Sequence, residues 1–324
     1  MPLPSTGDRP PGSGARLGLG LAAVGRPAYI TLGRDTDLGA DRSPTVLEAR
    51  THALLDAAAD LGIDYVDAAR SYGRAEEFLG SWLRRSGASP FVASKWGYRY
   101  TGNWRSDAAQ HEVKDHSAAA FERQWAETRE LLGSWIRLYQ VHSLTVDSPL
   151  WDDRPLLRRL AELRAEGVEV GFSTSGPAQA DAVRRGLEVT VDGVTLFTSV
   201  QTTWNLLERS AADALAEASA AEVRVVVKEP LANGRLTVAE GPATTELHRL
   251  ARAAGVGVDA LALAAALAQP WCDVVLSGAV AVPQLIGNTA ALDMDLDPAV
   301  EATHLIQPES AADYWAGRSR LPWS

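Results

Sequence analysis

The sequence predicts an α/β fold, a closed (β/α)8 TIM barrel in which eight parallel strands alternate with helices. Short apolar runs alternate with amphipathic stretches along the chain, which is typical of repeated strand–helix units and a parallel sheet. Three of the runs end in an ionisable residue, Asp67, Lys95 or His142, as catalytic groups do in parallel barrels. An open sheet is the alternative, but the glycines of residues 18–25 have no clear helix directly behind them.

The strand and helix positions follow from this alternation. The apolar runs predict eight strands, at residues 16–22, 63–68, 91–95, 137–142, 168–173, 196–201, 223–228 and 273–277. Apolar residues at helical spacing predict eight helices, at residues 46–61, 74–85, 117–132, 153–166, 177–185, 207–220, 244–254 and 259–268. Ser43 and Pro44 form an N-cap and first-turn pair before the first of these helices.

The chain is predicted to hold one domain. Residues 1–14 are rich in Pro, Gly and Ser and lack the apolar core of a secretory signal, so they are predicted to form a flexible N-terminal tail. Residues 15–324 are predicted to form the barrel, with a substrate loop supplied by the C-terminal segment. No short internal repeat appears beyond the strand–helix alternation.

Composition excludes several classes of protein. A net charge of −10 opposes binding to nucleic acid or anionic lipid. The sequence contains no run of 18 apolar residues, so it predicts no transmembrane helix. Cys272 is the only cysteine, so no intramolecular disulfide or cysteine zinc cluster can form. We therefore expect a cytoplasmic protein with no nucleic-acid partner, no membrane partner and no bound metal; the sequence does not fix its oligomeric state.

Four side chains are predicted to form one proton-transfer site: Asp67, Tyr72, Lys95 and His142. The Lys95 cation would lower the pKa of the Tyr72 phenol, and Asp67 would keep that ammonium charged. His142 would donate a hydrogen bond to a bound carbonyl or relay a proton. Because the set has no nucleophile, it suits protonation of a carbonyl while a nicotinamide cofactor supplies hydride. The alternative for Lys95 alone is an ordinary lysine at the barrel mouth.

The chain resembles the aldo-keto reductases. The residues that look like this family's catalytic tetrad and its surrounding motifs are Gly62, Asp64, Asp67, Tyr72 with Gly73, Lys95 after Phe-Val-Ala-Ser, and His142 after Leu-Tyr-Gln-Val. Their order and spacing both agree with the family, and further motifs follow at nearly every strand end from Gly20 onward.

The resemblance implies that NADP or NAD lies across the barrel mouth. The residues implied to bind it are Gly20, Ser173, Thr174, Gln201, Trp204, Leu231, Gly234, Arg235, Gly278, Ala279, Gln284 and Asn288. Ser173, Thr174 and Gln201 would hold the carboxamide, and Trp204 would stack on the ring. Thr174 stands in place of the usual asparagine and Trp204 in place of the usual tyrosine, so altered affinity is expected. Backbone amides and Arg235 would bind the pyrophosphate.

One departure from the family concerns the adenosine end. No Lys or Arg occurs between Arg252 and Arg318, so a 2′-phosphate would lack its usual charge partner. This favours a weaker preference for NADP over NAD, or a preference for NAD, unless Arg252 or hydroxyl groups compensate for the missing charge partner.

Aromatic residues are predicted to shape the substrate site. Tyr29 follows the first strand, and Trp96 and Trp104 follow Lys95. Further aromatic residues near the C-terminus are Tyr314, Trp315 and Trp323. Such walls suit an apolar or ring-shaped substrate, sugars included, although the alternative is that several of these rings only pack the barrel rim.

The sequence therefore predicts an NAD(P)-dependent aldo-keto reductase or alcohol dehydrogenase. It would act on a small aldehyde, ketone or sugar carbonyl, or on the corresponding alcohol, with Tyr72 as general acid and base. The alternative is a regulatory or redox-sensing subunit that binds the cofactor with little turnover. For Lys228 and Glu229, a ligand contact and a structural ion pair both remain open.

Overall fold

A computed structural model of the protein, which describes residues 16–239 and 241–324, contains a closed barrel of eight parallel strands. The strands in chain order are β1 Arg16–Gly20, β2 Tyr65–Asp67, β3 Phe91–Trp96, β4 Tyr98–Tyr100, β5 Glu112–Lys114, β6 Ile136–Leu144, β7 Glu169–Thr174, β8 Thr190–Val191, β9 Val194–Thr195, β10 Ser199–Thr203, β11 Arg224–Lys228 and β12 Val274–Ser277. Around the barrel the order is β1, β2, β3, β6, β7, β10, β11 and β12, which pairs again with β1. The predicted (β/α)8 fold is confirmed.

Helices surround the barrel. In chain order they are α1 Arg34–Leu38, α2 Pro44–Asp60, α3 Ala75–Ser86, α4 Ala118–Leu132, α5 Arg154–Ala165, α6 Gln179–Leu187, α7 Ala212–Ala220, α8 Pro242–Ala254, α9 Val258–Leu267, α10 Val282–Asp293, α11 Asp297–Leu305 and α12 Ala311–Ser319. The predicted start of α2 is confirmed, because Pro44 occupies its first turn and the Ser43 hydroxyl accepts a hydrogen bond from the backbone N–H of Val46 at 3.4 Å.

The predicted helix set needs two corrections. Two predicted helices fall between β11 and β12, at α8 and α9, whereas α10, the helix that follows β12, was missed. The helix predicted at residues 207–220 begins only at Ala212. Its first residues form a turn instead, because the Asn205 side-chain oxygen accepts hydrogen bonds from the backbone N–H groups of Leu207 and Glu208.

Buried apolar side chains lie on both sides of the barrel wall. One cluster joins the strands to the surrounding helices. A smaller one is drawn from five barrel strands and comprises Tyr65, Ala93, Leu138, Val226, Val274 and Leu276. These inner residues pack the barrel interior, so that it is a core rather than a pore.

Three segments far apart in sequence meet at the mouth of the barrel. The antiparallel pair of β4 and β5 follows β3, and His111, beside it, stacks on Trp323 with ring centroids 4.3 Å apart. The C-terminal segment also pairs with the connection after β1, because Tyr29 and Ser324 exchange two backbone hydrogen bonds. These contacts place the C-terminal segment over the catalytic end of the strands.

No single helix within residues 16–239 and 241–324 is long and apolar enough to cross a membrane. Helices α8 and α9 meet that criterion only when taken together, and they are bent by 92° relative to each other. The predicted tail, residues 1–14, lies outside the described residues.

Candidate active site

The ends of β2 and β3 bring Asp67 and Lys95 together inside the barrel. The Lys95 ammonium donates a hydrogen bond to Asp67 Oδ2 and another to the carbonyl oxygen of Ala68, at 3.1 Å. The second carboxylate oxygen, Asp67 Oδ1, accepts from Gln201 Nε2 at 2.9 Å. Both oxygens of the buried carboxylate are therefore satisfied, as a buried ion pair requires.

The turn after β2 carries Tyr72 to the same place. Its hydroxyl lies 3.4 Å from Lys95 Nζ. The turn packs so closely on the connection after β1 that a Cβ at Gly73, where φ is +62°, would lie 2.5 Å from the carbonyl oxygen of Gly25. Glycine is required at both contact points, since a Cβ at Gly25 would lie 2.4 Å from the carbonyl oxygen of Tyr72.

His142, on β6, completes the cluster. Its ring meets the Tyr72 ring edge-on, with centroids 5.6 Å apart, and its Nδ1 lies 3.4 Å from the hydroxyl oxygen of Ser71. The ring of Tyr98 approaches the imidazole on another side, at 5.0 Å. The structure thus brings together all four residues that the sequence predicts for proton transfer.

Burial dominates the electrostatics of the cluster. It lowers the pKa of Lys95, and Asp67 opposes this shift. Burial also raises the pKa of Tyr72 well above 10, and Asp67 raises it further. The pKa of His142 lies well below 6.5, first because of burial and then because of nearby cations, Lys95 foremost. At neutral pH the phenol is protonated and the imidazole is neutral.

From the sequence, the Lys95 cation is expected to lower the pKa of Tyr72, but the net shift of this pKa is upward. Burial and the negative charge of Asp67, which binds the Lys95 ammonium directly, raise the pKa of the phenol. Lys95 still lies beside the phenol, with Nζ 3.4 Å from its hydroxyl oxygen and 5.0 Å from the ring centroid.

A cavity of about 720 Å³ begins at this cluster and continues between the connections that follow β1, β11 and β12. Many of the predicted ligand-binding residues line it: Gly20, Tyr29, Gln201, Leu231, Gly234, Gly278, Ala279, Gln284 and Asn288. Its volume is within the range of sites that enclose cofactors. No atom lies within 4 Å of where a Cβ of Gly278 would stand, so the wall is open there.

Three predicted nicotinamide contacts do not line this cavity. Ser173 Oγ accepts a hydrogen bond from the backbone N–H of Ser143 at 2.8 Å, and Thr174 Oγ1 donates to Thr202 Oγ1 at 3.1 Å. Trp204 is 1% exposed, and its ring packs edge-on against Trp271. These side chains are held by the barrel itself, whereas Gln201 does reach the cavity.

Three further predicted contacts are also turned away. Arg235 forms an ion pair with Glu309 and lies over the Tyr314 ring. Trp96 is 1% exposed and packs edge-on against Phe121, with ring centroids 5.0 Å apart. Trp104 donates from Nε1 to the carbonyl oxygen of Arg42 and lies at a separate cavity.

The far end of the main cavity is acidic, a feature that the sequence analysis missed. Asp37 and Asp259 both line it. Gln284 links this end to the loop after β12, because its Nε2 donates to Asp37 Oδ2 at 2.7 Å and its Oε1 accepts from the backbone N–H of Val280. The nearby Arg50 donates to backbone carbonyl oxygens, Val280 among them, at 3.0 Å.

The end nearest Tyr72 is lined by charged and aromatic side chains from distant segments: Arg26, Tyr98, Glu112, Lys228, Glu229, Arg318 and Trp323. For Glu229 the structure shows an ion pair, which it forms with Arg318 at 2.5 Å, while Lys228 donates to Thr203 Oγ1 at 2.6 Å. Both residues line the cavity, and their contact with a ligand stays a prediction.

Burial also shifts the pKa values of this second charged pair. It lowers the pKa of Lys228 to about 8. For Glu229 burial acts in the opposite direction to the neighbouring charges, and Arg318 and Lys228 together hold the pKa at about 2. Glu229 is therefore ionised at every pH at which the protein would be assayed.

Within residues 16–239 and 241–324, no group of three or more His, Cys, Asp or Glu side chains could hold a metal ion. The loops after β1 and β11 are joined at the cavity by Asn233. Its side-chain amide donates to the carbonyl oxygen of Ile30, and its backbone carbonyl oxygen accepts from the N–H of Leu32. The residues that line the cavity include Ile30 and Asn233 at this junction, Tyr72 at the proton-transfer cluster and Gln284 after β12.

Comparisons with known proteins agree with this geometry. A model of the aldo/keto reductase family matches residues 17–303. The uncharacterized oxidoreductase YqkF of Bacillus subtilis (strain 168) is 25% identical over 190 residues, and this match spans 57% of this chain and 57% of that protein.

Two solved structures share the architecture. The aldo-keto reductase AKR11C1 from Bacillus halodurans, in its holo form, is 23% identical with a TM-score of 0.68, and the alignment covers 92% of this chain and 94% of that one. PA4992, a proposed aldo-keto reductase from Pseudomonas aeruginosa, is 25% identical with a TM-score of 0.62, covering 90% and 93% of the two chains.

Proposed function

The chain belongs to the aldo/keto reductase family of oxidoreductases, and from this premise we propose that it transfers hydride between a nicotinamide dinucleotide and a small carbonyl substrate. Tyr72 is the general acid in reduction and the general base in alcohol oxidation. The observation that supports this most directly is the meeting of Tyr72, Lys95 and His142 at a cavity of about 720 Å³.

When bound, a nicotinamide dinucleotide would supply or accept the hydride at the substrate carbon. Tyr72 donates its proton to the carbonyl oxygen, and its raised pKa ensures that the proton is present at neutral pH. The neutral imidazole of His142 orients that oxygen through a hydrogen bond. Asp67 keeps Lys95 charged, so that the ammonium can stabilise the phenolate that forms.

Each group of lining residues could bind a different part of the cofactor. Gln201 would hold the carboxamide, and the loop at Leu231 and Gly234 would hold the pyrophosphate through backbone amides. Gln284 and Asn288 would hold the adenosine.

The acidic far end favours NAD over NADP. Asp37 and Asp259 would accept hydrogen bonds from ribose hydroxyls, whereas a 2′-phosphate would bring a second anion beside them. Arg50 donates to the backbone carbonyl oxygens of Asp37, Leu38 and Val280 and does not line the cavity, so a 2′-phosphate would not pair with its guanidinium directly.

The test is to follow nicotinamide absorbance with aldehydes, ketones, sugars and secondary alcohols, using both cofactors in both directions. We expect turnover that Tyr72→Phe abolishes while dinucleotide binding is retained. Tight dinucleotide binding without turnover on any substrate of the panel would contradict the proposal and favour a cofactor-sensing regulatory subunit.

A further inference from the structure

We propose that Arg26 is a positioning residue for this reaction: its guanidinium holds the Tyr72 turn in place and stabilises the phenolate, while Glu112 acts in the opposite sense. This inference rests on the proposed role of Tyr72. It assigns a part in proton transfer to a loop residue that lies outside the four-residue cluster.

Arg26 contacts the Tyr72 turn directly. Its guanidinium carbon lies 5.3 Å from the centroid of the Tyr72 ring, and Nη1 donates to the backbone carbonyl oxygen of Ser71 at 3.1 Å. The same nitrogen donates to Glu112 Oε2 at 2.9 Å. One cation therefore joins the backbone before Tyr72, the phenol ring and the strand β5.

Two further rings enclose the guanidinium. Its carbon lies 4.9 Å from the centroid of Trp323 and 5.4 Å from that of Tyr29. Only 2% of Arg26 is exposed, and its Nε has no hydrogen-bond partner within residues 16–239 and 241–324. Such a desolvated cation acts strongly on its neighbours, because little water screens its charge.

Arg26 occupies a position that Lys95 does not serve. The ammonium of Lys95 lies 5.0 Å from the centroid of the same ring, but it is bound to Asp67. The other ionisable groups that act on Tyr72 are Tyr29 after β1, His142 on β6, Glu112 on β5 and Glu229 after β11. Arg26 is thus a second cation against the phenol ring, one that no neighbouring carboxylate of the four-residue cluster binds, and Glu112, its ion-pair partner, opposes it.

Alcohol oxidation gives the sharpest test, because it requires Tyr72 as phenolate. Its rate therefore rises with pH below the phenol pKa. Arg26→Met removes the charge and keeps similar bulk, so we expect oxidation at a fixed pH on this rising limb to fall by about tenfold or more. Arg26→Lys should restore part of the loss. Glu112→Gln should act in the opposite direction, raising the oxidation rate severalfold at the same pH.

A purely structural role predicts a different pattern. In that case Arg26→Met and Glu112→Gln would both lower the oxidation rate, and the plot of log rate against pH would not shift along the pH axis. This result would overturn the proposal. A change confined to KM for anionic substrates would also overturn it, since Arg26 would then bind substrate. Tyr72→Phe separates this inference from the proposed function. If Tyr72→Phe remains active, the proposed function fails. If Tyr72→Phe is inactive but the Arg26 variants leave the pH profile unchanged, only this inference fails.

Discussion

The Lys95 ammonium lies 3.4 Å from the Tyr72 hydroxyl but bonds more closely to Asp67. This arrangement separates two tasks that one cation would otherwise share. Asp67 keeps the lysine charged at full burial, and the longer contact leaves the phenol protonated until a substrate oxygen accepts its proton. This geometry suits the proton donation that we propose for reduction, and Arg26 supplies further positive charge beside the phenol for the proposed oxidation.

Replacing the phenol tests the central assignment. Tyr72→Phe keeps the ring that packs against His142 and Arg26 and removes only the proton. We expect kcat for aldehyde reduction to fall by about 10²–10⁴-fold, the usual contribution of a general acid. Dinucleotide affinity, measured by fluorescence titration, should stay within about twofold; an unchanged kcat would refute the role.

The Asp67–Lys95 pair should behave as a buried unit. Lys95→Met leaves an ionised carboxylate without its cation, and we expect a loss of about 3–5 kcal/mol in the free energy of unfolding. Adding Asp67→Asn should recover much of that loss, because no buried charge remains. Denaturant unfolding of the two single variants and the double variant gives the coupling free energy. Additive effects would show that the pair does not act as a unit.

The pH dependence of reduction follows from the two shifted groups. His142 gains its proton only below its lowered pKa, well under 6.5, and Tyr72 loses its proton only well above 10. We therefore expect neither group to produce a limb in the pH profile of kcat for reduction between about pH 6.5 and 9. A change centred near pH 8 would come instead from Lys228, in the same cavity. An acid limb centred near pH 6.5 that disappears in His142→Gln would contradict the conclusion that the imidazole of His142 has a lowered pKa and is neutral in this range.

Strand ends made the catalytic cluster predictable from sequence. Asp67, Lys95 and His142 each lie at or near the end of a barrel strand, and parallel strands of a closed barrel bring those ends together. Trp96 was placed wrongly because it was judged by its nearness to Lys95 in sequence. Neighbouring residues of a strand point to opposite faces, so that Trp96 packs outward against Phe121 while Lys95 points inward.

Features that depend on contacts between distant segments were not predicted from the sequence. Arg26 and Glu112 were missed, and Trp323 was predicted only as an aromatic wall. The contacts of Arg26 with both could not be predicted, because the three residues come from distant segments and no local pattern in one indicates the other two. Helix α10 was missed for a local reason, since glycine and polar residues interrupt its apolar pattern. The role of Asp37 and Asp259 likewise becomes clear only from the fold, which places both residues in the wall of the main cavity.

Those two carboxylates make the cofactor preference testable. We expect kcat/KM to be at least about tenfold higher with NADH than with NADPH, because the 2′-phosphate would face anions instead of a cation. Asp259→Asn should narrow the ratio mainly by improving use of NADPH. Asp41→Asn, at a fully exposed carboxylate outside this cavity, is the matched control. A large advantage for NADPH in the wild-type protein would defeat the assignment.

The two tryptophans at the barrel mouth should respond differently to substitution. Trp323 lines the cavity beside Arg26, whereas Trp96 is buried against Phe121. We expect Trp323→Leu to raise KM for carbonyl substrates severalfold with little loss of stability, since its ring is partly exposed. Trp96→Leu should instead lower the free energy of unfolding by about 2–4 kcal/mol, through the void left in the core, and leave KM nearly unchanged in the folded protein. Steady-state kinetics and denaturant unfolding of both variants separate the two roles; a larger KM effect from Trp96→Leu than from Trp323→Leu would return Trp96 to the substrate wall.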